Sequence, residues 1–287
     1  MNAEIPVIKN KDYEIYIDGL GASGEGIGRI EGFSVFVKGA LPGERVKVKI
    51  VKVAKRYAYG KMLHIIHQSS ERVEPKCPYY HICGGCQLQH LSYEAQLVYK
   101  AQSVKDALER IGGLKNAEVL PTIGMDEPWR YRNKAQFPAG QVDGKPALGF
   151  YMPRSHQLIH VLDCPIQHDS NEKVTALIHR FMQTYNIPVY REDTHRGIIR
   201  HVVTRVGFKS NQLMVVIVTN GELPRKNELV AILRGGLPNL TGIIQNIQTE
   251  KTNVVMGKKN ITLWGSDHIM DTIGELKFKI SPLSFYQ

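Results

Sequence analysis

Four cysteines carry the most specific chemistry in this chain. Cys77, Cys83 and Cys86 are spaced C-x5-C-x2-C, and the fourth, Cys164, stands far downstream, directly before Pro165. Three clustered thiolates with one remote Cys-Pro match iron–sulfur ligation better than structural zinc, which usually takes two local pairs on two knuckles. A [4Fe-4S] cluster held by all four cysteines is the expectation, with zinc and four buried, unligated thiols as the alternatives. Gly84-Gly85, between two of the cysteines, suits a chain that turns tightly with its N–H groups aimed at sulfur. Radical enzymes that cleave S-adenosylmethionine use C-x3-C-x2-C and leave one iron vacant. The five-residue gap and the fourth cysteine argue against that chemistry and for a structural or electron-transfer cluster. His81 and His90 lie nearby but are not counted as ligands.

Basic residues supply the second signal. The chain holds 37 Lys and Arg against 27 Asp and Glu, a formal charge of +10. Between Arg45 and Lys61 stand Lys47, Lys49, Lys52, Lys55 and Arg56 with no acidic residue, and Tyr57 and Tyr59 are interleaved. Cations neutralise phosphates and release counterions, while each tyrosine can stack on an exposed base for roughly 1–3 kcal/mol. The competing reading is a solvated strand face kept charged against edge pairing. The same sign recurs in Trp129–Lys134, with Arg130, Arg132 and Lys134, and in Arg196–Arg205, with Arg196 and Arg200. Arg forks for phosphate beside aromatic planes for splayed bases point to single-stranded or looped RNA. One motif is discarded: Gly19–Gly24 matches G-x-G-x-x-G, but strand-like residues follow it where a dinucleotide site needs a helix N-terminus.

The elements that position these residues divide the chain in two. From Lys11 to His67, five short alternating segments separated by Gly and Pro-Gly turns read as an OB-like barrel; Val46, Val48 and Ile50 alternate with Lys47 and Lys49. Ser92 can cap a helix over 92–111, whose stripe of Leu97, Ala101, Val104, Leu108 and Ile111 ends at Gly112-Gly113. Asp169 and Glu172 resemble a capping box before a second helix that ends near Pro188. Strand-like stretches, TNVVMG among them, dominate the remainder, so the expected class is α+β multidomain: a barrel at 1–68, a mixed α+β iron–sulfur domain at 69–280 and a short tail at 281–287. The longest apolar run, Leu213–Val218, falls far short of the roughly 18 residues a membrane helix needs. The N-terminus has no secretory pattern, which leaves the cytoplasm as the expected location and no membrane partner.

Taken together, these motifs resemble the bacterial 23S rRNA (uracil-5-)-methyltransferases, which use S-adenosyl-L-methionine. GEGIGRIEGFSVFVKGALPGERVKVKI looks like that family's TRAM domain, an OB-like RNA-binding barrel, and the four cysteines match its [4Fe-4S] ligands in order and spacing. WRYRNKAQ, GFY…SHQLI…DCPIQ, RGIIRHVVTR, TNVVMG and ISPLSFYQ are similar to its central-domain signatures. The resemblance implies RNA as partner, with 23S rRNA favoured over tRNA. It also implies that Gln287 touches S-adenosyl-L-methionine and that Phe285 lies near a flipped uracil. The SPxSFxQ motif opens the family's methyltransferase domain, and this sequence ends there. Methylation at C5 of uracil calls for a thiolate adding at C6, and all four cysteines are assigned to the cluster. The chain alone is therefore expected to be a truncated, inactive recognition part with no catalytic residue of its own. The helix at 92–111 is then expected to show its apolar face and associate through it. A stand-alone RNA-binding or ribosome-assembly module and a tRNA-directed uracil methyltransferase are the alternatives.

Overall fold

Alternation along the N-terminal strands closes a barrel in the computed structural model, which describes residues 5–286. The strands β1 (Asp12–Leu20), β2 (Gly26–Ile30), β3 (Phe33–Val37), β4 (Arg45–Val53) and β5 (Tyr57–His67) close in the order β1-β2-β3-β5-β4. All pairs are antiparallel except β3 with β5. Ile15, Ile17, Val35, Val37, Val46, Val48, Ile50 and Ala58 fill the interior. A Cβ at Gly28 would lie 2.3 Å from a methyl of Ile15 and 2.4 Å from the Tyr16 carbonyl oxygen, so the close approach of β1 and β2 requires glycine there. Below the barrel turn, the buried Glu44 carboxylate accepts from the Leu41 N–H at 2.9 Å and from Arg72 Nε and Nη2 at 2.6 and 2.9 Å. Arg72 Nη2 also donates to the Gly39 carbonyl, which ties the chain after the barrel to the loop before β4.

This first unit comprises Met1–Tyr80 and Cys86–Asp126. The helix read over 92–111 is present: Ser92 accepts the Ala95 N–H at 3.3 Å and starts α1 (Tyr93–Asp106), which runs on through a wider turn, Ala107–Ile111. No residue of either segment is buried, and Ile111 is 87% exposed. Leu97 packs over Gly124, where a Cβ would come within 2.7 Å of its methyl.

The second unit, His81–Gly85 with Glu127–Gln287, is built on a seven-stranded sheet. Its elements in chain order are β6 (Lys134–Val142), β7 (Lys145–Tyr151), β8 (Leu158–His160), α2 (Ser170–Thr184), β9 (Ile199–Val206), β10 (Leu213–Thr219), α3 (Lys226–Gly236), β11 (Leu240–Ile247), β12 (Lys259–Gly265), β13 (Ile269–Ile273) and β14 (Leu276–Ile280). The sheet order is β12-β11-β10-β9-β6-β7-β8, with β13 and β14 forming a separate hairpin. Val174, Ile178 and Phe181 of α2 and Leu229 and Leu233 of α3 cover one face. On the other face Val203, Met214, Val216, Val218 and Ile244 meet Ile269 and Ile280 of the hairpin. That double covering explains why Leu213–Val218 is continuously apolar: as β10 it is buried on both sides. TNVVMG departs from the sequence reading, because Asn253–Met256 form no strand. Among the described residues no helix is long and apolar enough to cross a membrane.

Candidate nucleic-acid interface

The hairpin of β4 and β5 gathers the basic and aromatic residues of the barrel. Ala54 donates its N–H to the Tyr57 carbonyl at 2.8 Å, so Lys55 and Arg56 occupy the exposed tip. The register sets Lys52 opposite Tyr59, and the parallel β3 pairing sets Phe36 opposite Tyr59. With Ala58 and Gly60 turned inward, Tyr57 and Tyr59 share the outer face. Their ring centroids are 5.5 Å apart at 83°, and Phe36 stands 5.6 Å from Tyr57 and 5.8 Å from Tyr59. Three rings beside Lys52, Lys55 and Arg56 form a stacking platform inside a positive field. Lys47 is half-buried on the same strand, and Lys49 is exposed 4.0 Å from the Asp12 carboxylate. Sequence reading missed Phe36, although the alternation of FSVFV already turns it outward from the buried Val35 and Val37.

The basic residues of the second unit have different roles. Arg130 is held by Asp163 at 2.8 Å and by Asp169 at 2.9 Å, and its guanidinium also donates to the Cys164 carbonyl at 3.0 Å. Bonding from Arg130 holds the Asp163 carboxyl below its ordinary pKa. Arg130 thus fastens the Cys164 loop, and Asp169, read as a helix cap, makes no capping bond because its carboxylate faces Arg130. Arg200 turns inward: it is 5% exposed, stacks 4.3 Å from the Tyr190 ring centroid and donates to the carbonyls of Gln248, Glu250 and Thr252. That placement corrects the reading of Arg200 as an RNA contact, since the side chain is buried and both terminal nitrogens are bound to carbonyls inside the fold, with Nε alone lacking an acceptor. Arg196 is exposed, and Arg132 and Lys134 are half-buried. Burial, then the charges of Arg205 and Arg132, push the Lys134 pKa down. Phe285 is 91% exposed after the Ser281–Ser284 turn; Gln287 lies outside the described residues.

The four cysteines are all half-buried. Cys77 and Cys86 fall in the first unit and Cys83 and Cys164 in the second. The Gly85 N–H points at Cys83 Sγ, 3.4 Å away, as an amide does toward a thiolate ligand. Gln89 accepts the Cys77 N–H at 3.2 Å. Burial, then the Cys86 thiol, push the Tyr80 phenol up to about 12. Among the described residues no group of three or more His, Cys, Asp or Glu side chains gathers as a metal site.

Comparison with known proteins agrees with the barrel. Residues 6–63 match the TRAM domain family. An uncharacterized RNA methyltransferase of Clostridium tetani is 49% identical over 100% of this chain and 62% of its own length. Another, from Halalkalibacterium halodurans, is 47% identical over 99% of this chain and 62% of its own. The crystal structure of Pyrococcus abyssi tRNA (uracil-54, C5)-methyltransferase with S-adenosyl-L-homocysteine superposes with a TM-score of 0.71 at 24% identity, covering 96% of this chain and 61% of that one. This likeness establishes a shared fold. The molecule is thus a TRAM barrel followed by a mixed α+β unit, with homologues named RNA methyltransferases, and it spans about 62% of the length of those curated relatives.

One expectation is overturned. The sequence reading takes the chain as an inactive part with no catalytic residue, yet proteins named RNA methyltransferases align with all of it, and it shares the fold of a solved methyltransferase over 96% of its length. Nothing in these relationships marks it as inactive.

Proposed function

We propose that this protein is an S-adenosyl-L-methionine-dependent RNA (uracil-C5) methyltransferase acting on 23S rRNA in the cytoplasm, and that the described residues provide its RNA-holding surface. The observation that carries this reading is the Phe36–Tyr57–Tyr59 platform with Lys52, Lys55 and Arg56 on a TRAM barrel. Bases stack on the rings while the cations meet the backbone. The exposed Phe285 supplies a further aromatic plane for an unstacked base. When bound, S-adenosyl-L-methionine supplies an electrophilic methyl group. Cys77, Cys83, Cys86 and Cys164 are read as ligands of a [4Fe-4S] cluster, supported by their spacing, by the Gly85 N–H on Cys83 Sγ and by the Arg130 clamp on the Cys164 carbonyl.

A second substrate, tRNA, is favoured by the solved structural neighbour, which is named for tRNA uracil-54. Isotope-labelled methyl transfer by the purified protein onto undermodified 23S rRNA and onto tRNA, followed by mass spectrometry of the nucleosides, separates the two. Label in 5-methyluridine from 23S rRNA supports the proposal. Label from tRNA alone transfers it to the second substrate, and no label in either overturns it. Iron and sulfide analysis of the same anaerobic preparation tests the cluster.

A further inference from the structure

Two cations pair across the sheet with a third just before the strand, and among the described residues none of the three forms an ion pair with an acid. Antiparallel register sets Arg205 of β9 opposite Lys134 of β6, and Arg132 stands two residues before Lys134, where its charge acts on the lysine. Arg205 is 4% exposed. Its Nη2 donates to the Pro282 carbonyl at 2.7 Å, but its Nε and Nη1 are buried without an acceptor, as is Nε of Arg132. Among the described residues, the charges acting on Lys134 are Arg205 and Arg132, and the group acting on Arg205 is Tyr286. On the hairpin, the Asp271 carboxylate is turned to the N–H groups of Phe208, Lys209 and Ser210 and to the Tyr286 hydroxyl. Buried charged donors with no protein acceptor are expensive to maintain, and like charges raise that cost.

We propose that Arg132, Lys134 and Arg205 form a pocket for one phosphodiester group of the RNA backbone. Two planar guanidinium forks and a compact ammonium suit an oxyanion with several acceptor lone pairs. The Pro282 carbonyl that anchors Arg205 lies three residues before the exposed Phe285, so a phosphate held here delivers its flanking nucleotide to that ring. The inference rests on RNA being the substrate and adds where its backbone is gripped.

Because Arg205 is part of the core, the test uses Lys134→Gln and Arg132→Gln, each first shown to melt within a few degrees of the parent in chloride. Affinity for a uracil-containing single-stranded RNA is measured against salt. Losing one phosphate contact makes the log–log slope shallower by about 0.7, so affinity falls roughly 2- to 3-fold less between about 50 and about 200 mM salt. Inorganic phosphate at fixed ionic strength is expected to raise the melting temperature of the parent and not of the variants. Both results support the pocket. An unchanged slope in folded variants overturns it, and phosphate stabilisation with an unchanged slope overturns the RNA assignment in favour of a small-anion site. A changed slope without methyl transfer leaves the pocket standing and removes the methyltransferase reading.

Discussion

Replacing Tyr57 and Tyr59 by alanine, singly and together, tests the barrel platform most directly, because the ring geometry dictates how the losses combine. Their planes meet at 83° with centroids 5.5 Å apart. A base lying flat on one ring therefore meets the other edge-on, and the two cannot both stack on the same base. Stacking of one base is worth roughly 1–3 kcal/mol, while an edge-to-face aromatic contact adds roughly 0.5–1.5 kcal/mol. One single variant is thus expected to lose about 5- to 150-fold in affinity and the other less. The double variant should come close to the larger single loss plus the smaller contact, well below twice the stacking value. Neither ring carries charge, so the salt slope stays that of the parent. Fluorescence anisotropy with a labelled single-stranded RNA over a salt series reads both quantities. A double loss below about 2-fold, with folded barrels, would mean that RNA does not lie on this surface; a shallower slope would mean that the rings act by positioning the lysines.

Two further outcomes concern stability. Arg72→Met leaves the fully buried Glu44 carboxylate without its cation and should cost about 3–5 kcal/mol in denaturant unfolding. Burial raises the Glu44 pKa, but the bonds from Arg72 and Leu41 outweigh it and the net pKa lies below 4.5, so the parent should hold this contribution above pH 4.5 and lose it as acid protonates the folded carboxyl, whereas Glu44→Gln should flatten that dependence. Burial, then the neighbouring Arg200, lower His201 from 6.5 to about 4, so the unfolded chain binds a proton that the folded one refuses: stability should fall by about 3 kcal/mol as pH drops from 6.5 to 4 and level off below that, and a His201→Gln variant that keeps the same slope removes this cause.

Much of the barrel was legible because alternation is its own evidence. Val46, Val48 and Ile50 are buried as read, and the basic tyrosine-bearing tip is where the pattern puts it. The helix starts were legible at Ser92, where the hydroxyl caps, and α2 begins beside Asp169 even though that carboxylate bonds to Arg130 instead of the backbone. Helix α3 went unread: it is 11 residues long and begins after Arg225 in a left-handed conformation, with no side-chain cap. Its signal was the Leu229–Leu233 spacing and the closing Gly235-Gly236. Lys134 facing Arg205 was beyond sequence reading, because the two are 71 positions apart (205 − 134) and only sheet register joins them.

The arginines of the second unit show why a basic motif does not by itself mark a contact surface. All belong to stretches that read alike, and local charge does not distinguish them. Arg130 finds two carboxylates, Arg200 finds three carbonyls and an aromatic face, and Arg205 finds a single carbonyl. Recruiting the first two to RNA would first break bonds that close loops around Cys164 and after Gln248. Arg205 is the one whose unmet donors lie beside two further cations. Burial alone would class it with Arg200 as structural; counting protein acceptors separates them, since Arg200 makes three carbonyl bonds and leaves only Nε without one, whereas Arg205 makes one and leaves both Nε and Nη1. A ligand anion arriving there gains charge-assisted bonds to donors that are already desolvated and fixed in place, which is the condition under which a phosphate contact sets register and adds affinity.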